Sequence, residues 1–319
     1  MNNYQPTVSV IVPAYNAAKT LPICLSSLLR QDYPLEKYSV IVINDGSSDA
    51  TGAVFRQMNL PENFAIIEHS ENRGLAAARN TGIQNSDCEI LIFLDADMEV
   101  ASDFIGRHIA WYQRPEVVGI VSELQPAPEN PYDKYQRYLY ESQRGARVIG
   151  ANKPLPFQYF IFCMTSVRWS ALATVGGFDA EIRQYGGEDT ELAYRLWQKY
   201  PNGLFFDPEI RVTHHHYRPF QQVLKIVEQF GQQVVPYIVE QHPELSRLYG
   251  IQFVKPFGGS NWNMKYWIGR TLQTEVVFEI LWFLFEIAPY PISNFLVRGL
   301  LAAALLRGIA PSQTGIQRR

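Results

Sequence analysis

An α/β fold is the class this 319-residue chain predicts: a mostly parallel sheet flanked by helices, followed by an α-helical C-terminal extension. Three observations carry that prediction. Short apolar runs such as Val8–Val12 and Ile90–Leu94 are continuous rather than alternating, which is how a strand buried on both faces reads. Segments with apolar residues at helical spacing separate these runs, and this strand–helix alternation up to residue 216 is the pattern of a sheet with crossover helices. Beyond residue 217 the strand signals stop and apolar helical stretches replace them.

Taken in order, Val8–Val12 is the first strand. Leu21, Cys24, Leu25, Leu28 and Leu29 then mark a helix, which Asp32-Tyr33-Pro34 breaks. Strands follow at Ser39–Ile43 and Phe64–Ile67, a helix at Leu75–Gln84, and the buried strand Ile90–Leu94. Next come a helix at Asp103–Gln113, a strand at Val117–Val121 and a Tyr- and Arg-rich helical stretch at Tyr132–Arg147. Tyr159–Met164 reads as a strand, Thr190–Lys199 as a helix and Ile210–Thr213 as a short strand. In the extension, Phe220–Gln241 is a helix kinked at Pro236, and Glu275–Ala288 is an apolar helix ended by Pro289 and Pro291. Asn294–Ile309 is a second apolar helix, marked by Arg298 and Arg307. The expected domains are therefore 1–216 and 217–319.

Composition narrows the function. A chain that is 47% hydrophobic and 18% charged builds a sizeable core, and a net charge of −3 argues against a general nucleic-acid surface. Cys24, Cys88 and Cys163 are too few and too scattered for a zinc site or a disulfide framework, so a reducing, cytoplasmic setting is expected. Met1–Thr7 has no basic cluster, Val8–Val12 is too short for a signal-peptide core, and no apolar run reaches the ~20 residues of a membrane span. Charge is uneven: residues 1–216 hold 18 Lys and Arg against 25 Asp and Glu, and residues 217–319 hold 10 against 6. Three uses of the extension stay open. Its helices pack on the catalytic domain, form a homodimer interface, or lie peripherally on the inner membrane face. In the last case Trp262, Trp267, Trp282 and the arginines would sit at the headgroups.

Ligands of open parallel sheets bind beyond the carboxyl ends of the strands. Pro13-Ala14-Tyr15-Asn16, Asn44-Asp45-Gly46-Ser47-Ser48-Asp49 and Asp95-Ala96-Asp97 all fall at such ends. Asp95 and Asp97, two apart, direct two hard carboxylates to one mouth, which suits Mg²⁺ or Mn²⁺ shared with substrate phosphates; a capped strand end with solvated acids reads the same way. Asp-Gly within the second cluster is a turn, and Ser48 or Asp49 suits a helix cap, but capping leaves Asn44-Asp45 unexplained. Glu188 and Asp189 open a helix, either as acids favoured by its dipole or as a positioned general base. His214-His215-His216 alternates sides, so at most two imidazoles face one way, towards a metal site or towards solvent. Dinucleotide, Walker A and nucleophile-elbow motifs are missing from the sequence.

Six segments in order resemble the family 2 glycosyltransferases, whose fold is the Rossmann-like GT-A fold. They are Val8–Asn16, Val42–Asp49, Asn72–Gly82, Phe93–Asp97, Val175–Asp179 and Gly187–Asp189. The resemblance implies an inverting, metal-dependent transfer of one sugar from a nucleoside-diphosphate sugar, a UDP-sugar by family tendency, to an acceptor hydroxyl on a glycan, lipid-linked or protein acceptor. It implies that Pro13, Ala14, Tyr15, Asn16, Asp45, Arg79 and Asp95 hold the donor. Asp97 with His214 or His216 would hold Mg²⁺ or Mn²⁺, Asp189 would be the base, and Glu188 would shape the acceptor site. Processive members carry Gln-x-x-Arg-Trp after the base; here the only Arg-Trp pair, Arg168-Trp169, precedes Asp189, so a non-processive enzyme is expected. The alternatives are a catalytically silent nucleotide-sugar-binding scaffold and a sugar nucleotidyltransferase.

Overall fold

A computed structural model of the protein describes residues 4–254 and 264–310. Eight strands form one sheet: β1 (Val8–Ala14), β2 (Tyr38–Asp45), β3 (Phe64–His69), β4 (Ile90–Leu94), β5 (Met98–Val100), β6 (Gly119–Pro126), β7 (Met164–Arg168) and β8 (Leu204–His214). Their order is β3-β2-β1-β4-β7-β6-β8-β5. The half from β3 to β4 is parallel, and the other half mixes directions through antiparallel β7 and β5. Every residue of β1 and β4 is buried, as continuous apolar runs require. Because β2 and β3 lie on one side of β1 and β4 on the other, the order reverses at β1/β4, which is where open α/β sheets form a ligand crevice beyond the strand ends.

Several elements differ from the sequence reading. Tyr159–Met164 is not a strand: Phe157–Tyr159 is a single 3₁₀ turn and the strand is Met164–Arg168. The run is apolar because Phe160 and Phe162 are buried plugs that meet edge-to-face at 5.4 Å. Tyr132–Arg147 is two helices, Lys134–Glu141 and Ala146–Ile149, separated by Gly145 at φ +57°. Ile210–Thr213 is the end of the eleven-residue β8, and Val117–Val121 begins two residues before β6. The helix expected at Thr190 starts at Glu188, which places both acids in its first turn. The kink at Pro236 is present, as helices Phe220–Gln233 and Val235–Gln241.

The chain divides into two units. The first holds the residues up to Asn130, Gln143–Arg183 and Glu188–His216, with the sheet and its core. The second holds Pro131–Ser142, Gln184–Gly187 and the described residues from Tyr217 onward, so it takes two short segments that precede residue 217. Its own core gathers Tyr135, Phe220, Leu224, Phe285, Val297 and Leu300. Helices Phe220–Gln233 and Ser293–Ile309 approach so closely that a Cβ on Gly231 would stand 2.5 Å from the Leu305 carbonyl oxygen, so glycine is required there. Among the described residues no helix is long and apolar enough to cross a membrane.

Candidate active site

The centre of the crevice is a buried arginine. Arg79 lies on helix Leu75–Gln84, whose small residues Ala76, Ala78 and Gly82 let the helix lie close to the sheet. Its guanidinium is 1% exposed and donates to three carboxylates: Asp189 at 2.7 Å, Asp95 at 3.1 Å and Glu188 at 3.3 Å. Burial favours the neutral arginine, but the three acids outweigh burial and raise its pKa further. A planar fork with five donors suits such a cluster, and lysine would not replace it.

The acids respond differently. Burial, reinforced by Asp189 and opposed by Arg79, pushes the Glu188 carboxyl up to about 8, well above the ordinary carboxylate range. Its Oε2 is buried without a hydrogen-bond partner. Loss of water around Asp95, opposed by Arg79, raises that carboxyl to about 6. Asp189 keeps 20% of its side chain open to solvent and accepts a second hydrogen bond from the Phe162 backbone N–H at 3.0 Å.

Motif residues without charge hold the arginine in place. The Phe178 ring lies 5.2 Å from the guanidinium, and Phe178 packs edge-to-face on Phe93 and Phe162. Asn80 exchanges two hydrogen bonds of 2.8 Å with the Phe178 backbone, tying the helix to the Gly176-Gly177 loop. This explains why Asn80 and Phe178 stand in segments that also carry acids and bases.

Asp97 follows β4, and its Oδ2 is 3.4 Å from Nε2 of His214, at the end of β8. The His214 and His216 rings are 5.8 Å apart, while His215 points away between Glu99 at 2.8 Å and Glu129 at 2.6 Å. Strand alternation therefore leaves the flanking pair together. Burial raises the Asp97 carboxyl, but the hydrogen bond and charge of His214 prevail and hold it below the usual range. Asp97 Oδ1 is buried with no partner. One orphaned carboxylate oxygen beside imidazoles fits a hard divalent cation that completes its shell with substrate oxygens. Among the described residues no three such side chains form a finished cage.

The donor-side loops are held by one another. Pro13 and Ala14 end β1, Tyr15 is exposed, and Asn16 turns with φ +51°. Asn16 Oδ1 accepts from the Ser48 and Asp49 backbone N–H groups at 2.9 and 3.3 Å, and its own N–H donates to Ser47 Oγ. Asp45 is buried and accepts from His69 Nδ1 at 2.6 Å and from the Arg73 and Gly74 N–H groups at 3.0 Å each. Asp45 and Arg79, for which the resemblance implies direct donor contact, are thus occupied inside the protein.

The family model described as Glycosyl transferase family 2 matches residues 9–176. The chain belongs to this family. A second model, described as the N-terminal domain of galactosyltransferase, matches residues 146–219. Glycosyltransferase AglE of Haloferax volcanii is 40% identical over 111 residues, 34% of this family 2 chain and 36% of the relative. The validoxylamine A glucosyltransferase of Streptomyces hygroscopicus subsp. jinggangensis is 28% identical over 220 residues, 61% of this chain and 52% of the relative. The chain thus spans about a third to a half of these two curated relatives. Among solved structures, the mannosyltransferase PcManGT from Pyrobaculum calidifontis, in complex with GDP-Man and Mn²⁺, superposes with a TM-score of 0.60. The identity is 20%, over 96% of this chain and 88% of that one. S. aureus TarS in complex with UDP gives a TM-score of 0.56 at 16% identity, over 95% and 90%. These likenesses show the GT-A fold.

Sequence reasoning missed His69 and Phe162. His69 ends β3 directly beside Asp45 in the strand register, so the ends of neighbouring strands were the available signal. Phe162 reads as one more apolar residue; its contribution is a backbone N–H, which no side-chain pattern reveals. Arg168 accounts for the misplaced Arg-Trp pair: it donates to the carbonyls of Val117, Tyr112 and Arg114 and is part of the fold.

Proposed function

We propose that this family 2 chain is an inverting, metal-dependent, non-processive glycosyltransferase that moves one sugar from a nucleoside-diphosphate sugar, first among them a UDP-sugar, to an acceptor hydroxyl. The observation that carries the reading is the gathering of Asp95, Glu188 and Asp189 on one buried guanidinium beside the β1/β4 crevice. The GDP-Man and Mn²⁺ of the Pyrobaculum enzyme and the UDP of TarS support a nucleotide-sugar donor.

Asp189 is the base. Arg79 and the Phe162 N–H fix its carboxylate, and a fifth of the side chain stays open to solvent. It accepts the proton of the acceptor hydroxyl as that oxygen bonds to the anomeric carbon. The bond from that carbon to the diphosphate breaks, and its electron pair leaves with the nucleoside diphosphate. Attack opposite the leaving group inverts the centre. Glu188, buried against Arg79 with its pKa raised by burial, shapes the acceptor side. Asp97 with His214 and His216 would hold Mn²⁺ or Mg²⁺, which stabilises charge on the departing diphosphate.

Asp189→Asn tests this. Asparagine keeps an oxygen for Arg79 but cannot take the proton. Transfer or hydrolysis from a panel of UDP-, GDP- and dTDP-sugars should fall ~10²–10⁴-fold, with nucleotide affinity unchanged. Near-normal turnover by a folded variant would remove Asp189 as base.

A further inference from the structure

The second unit carries large apolar side chains on its outside. On helix Glu275–Ile287, Val276, Ile280, Phe283, Leu284 and Ile287 are exposed, Phe283 by 63%. At 3.6 residues per turn these five share one arc of about 100°. The other face is already used: Phe278, Leu281, Trp282 and Phe285 belong to the unit's core. Helix Met264–Leu272 exposes Met264, Trp267 and Ile268, spaced as one face, and Phe295, in the first turn of Ser293–Ile309, is 74% exposed. Helices that are apolar all round are either enclosed or covered by something apolar.

Charge says what covers them. Lys265 and Arg270 are exposed on the helix of Met264 and Trp267, and Arg298 is exposed one turn after Phe295. Residues 217–319 hold ten Lys and Arg against six Asp and Glu. Of the glutamates on the stripe's helix, Glu275 is paired with Arg307 at 2.7 Å. Glu279 and Glu286 flank the stripe, about 40–60° beyond Phe283 by the same helical spacing, and leave the stripe itself uncharged. A second copy meeting this face about a twofold axis would bring like charges together, whereas anionic headgroups neutralise them. We propose that this face docks on an anionic bilayer surface, with Phe283, Ile287 and Trp267 at the headgroup–acyl boundary and Lys265, Arg270 and Arg298 against the headgroups. Such docking selects a lipid-linked acceptor among the acceptor classes, and that consequence alone rests on the glycosyl-transfer reading. Trp262, expected at the headgroups from the sequence, lies outside the described residues.

The test is flotation of the full chain with phosphatidylcholine vesicles, with and without phosphatidylglycerol, at low and high salt. Because no donor is needed, failure here and failure of transfer are distinguishable. Expected is about tenfold or more enrichment on anionic over neutral vesicles at low salt, reduced by salt. The double variant F283E/I287E should lose it while keeping its circular dichroism and melting profile, and K265E/R270E should lose the preference for anionic lipid. No flotation with anionic vesicles, or flotation unchanged in a folded F283E/I287E, overturns the proposal. So does a stable dimer in solution that the same substitutions dissociate.

Discussion

Strands β1 and β4 and the helix Glu275–Ile287 are built from the same kinds of large apolar residue, and the chain uses them in opposite ways. All of β1 and β4 is buried, so their apolar content is satisfied inside the chain and the polar residues just beyond their ends are left for chemistry. In the helix only Phe285 is fully buried, and one whole face is apolar and outward. Equal hydrophobicity therefore means stability in the first case and a surface awaiting contact in the second. In the first unit the groups proposed to act are a few charged side chains at fixed distances; in the second the proposed contact is an area.

The largest stability effect should come from the arginine that the first unit buries among three acids. Arg79→Ala leaves Asp95, Glu188 and Asp189 without their shared cation, and breaking a buried pair in this way costs ~3–5 kcal/mol. Chemical denaturation should show that loss, and a change below ~1 kcal/mol would mean that water, not Arg79, compensates the acids. Next comes the direct comparison of apolar positions. Ile92→Ala, in β4 at 0% exposure, should cost ~2–5 kcal/mol, while Ile280→Ala, more than half exposed, should stay within ~0.5 kcal/mol. Equal losses at the two sites would erase the distinction between the regions.

The remaining effect is a pH slope, small at each step of pH. His108 is enclosed in the first unit, 2.8 Å from Ser166 Oγ and 2.9 Å from Ser122 Oγ, and burial pushes it down to about 3. Its unfolded value is near 6.5, so between about 6.5 and about 3 the unfolded chain binds the extra proton. The contribution is complete above about 6.5 and is lost as pH falls towards about 3, at up to ~1.4 kcal/mol per pH unit. His108→Gln should flatten that slope in urea titrations across the window; an unchanged slope would mean that His108 is protonated in the fold.

The same contrast explains what was legible beforehand. Val8–Val12 and Ile90–Leu94 were readable because a parallel strand buried on both faces leaves a continuous run, and Asp95, Asp97 and Asp189 were readable because strand and helix ends fix their place. Met98–Val100 was not, since three residues have no period. Tyr159–Met164 misled because Phe160 and Phe162 are apolar for packing, not for pairing. Arg79 was found as a motif residue, but its three partners come from segments far apart in sequence, and only the fold brings them to one guanidinium. Apolar residues in Glu275–Ile287 gave a helix correctly, while nothing in their pattern separates a buried face from an exposed one when both are apolar.

The most direct test of the nucleotide-sugar site is calorimetric titration of the protein with UDP, GDP and dTDP, with and without Mn²⁺, repeated on Asp97→Ala. The arrangement of Asp97 with His214 and His216 predicts that one nucleotide binds tightly only when Mn²⁺ is present, and that Asp97→Ala removes the metal-dependent part. Failure of all three nucleotides to bind with Mn²⁺ present, or affinity unchanged in a folded Asp97→Ala, would contradict it.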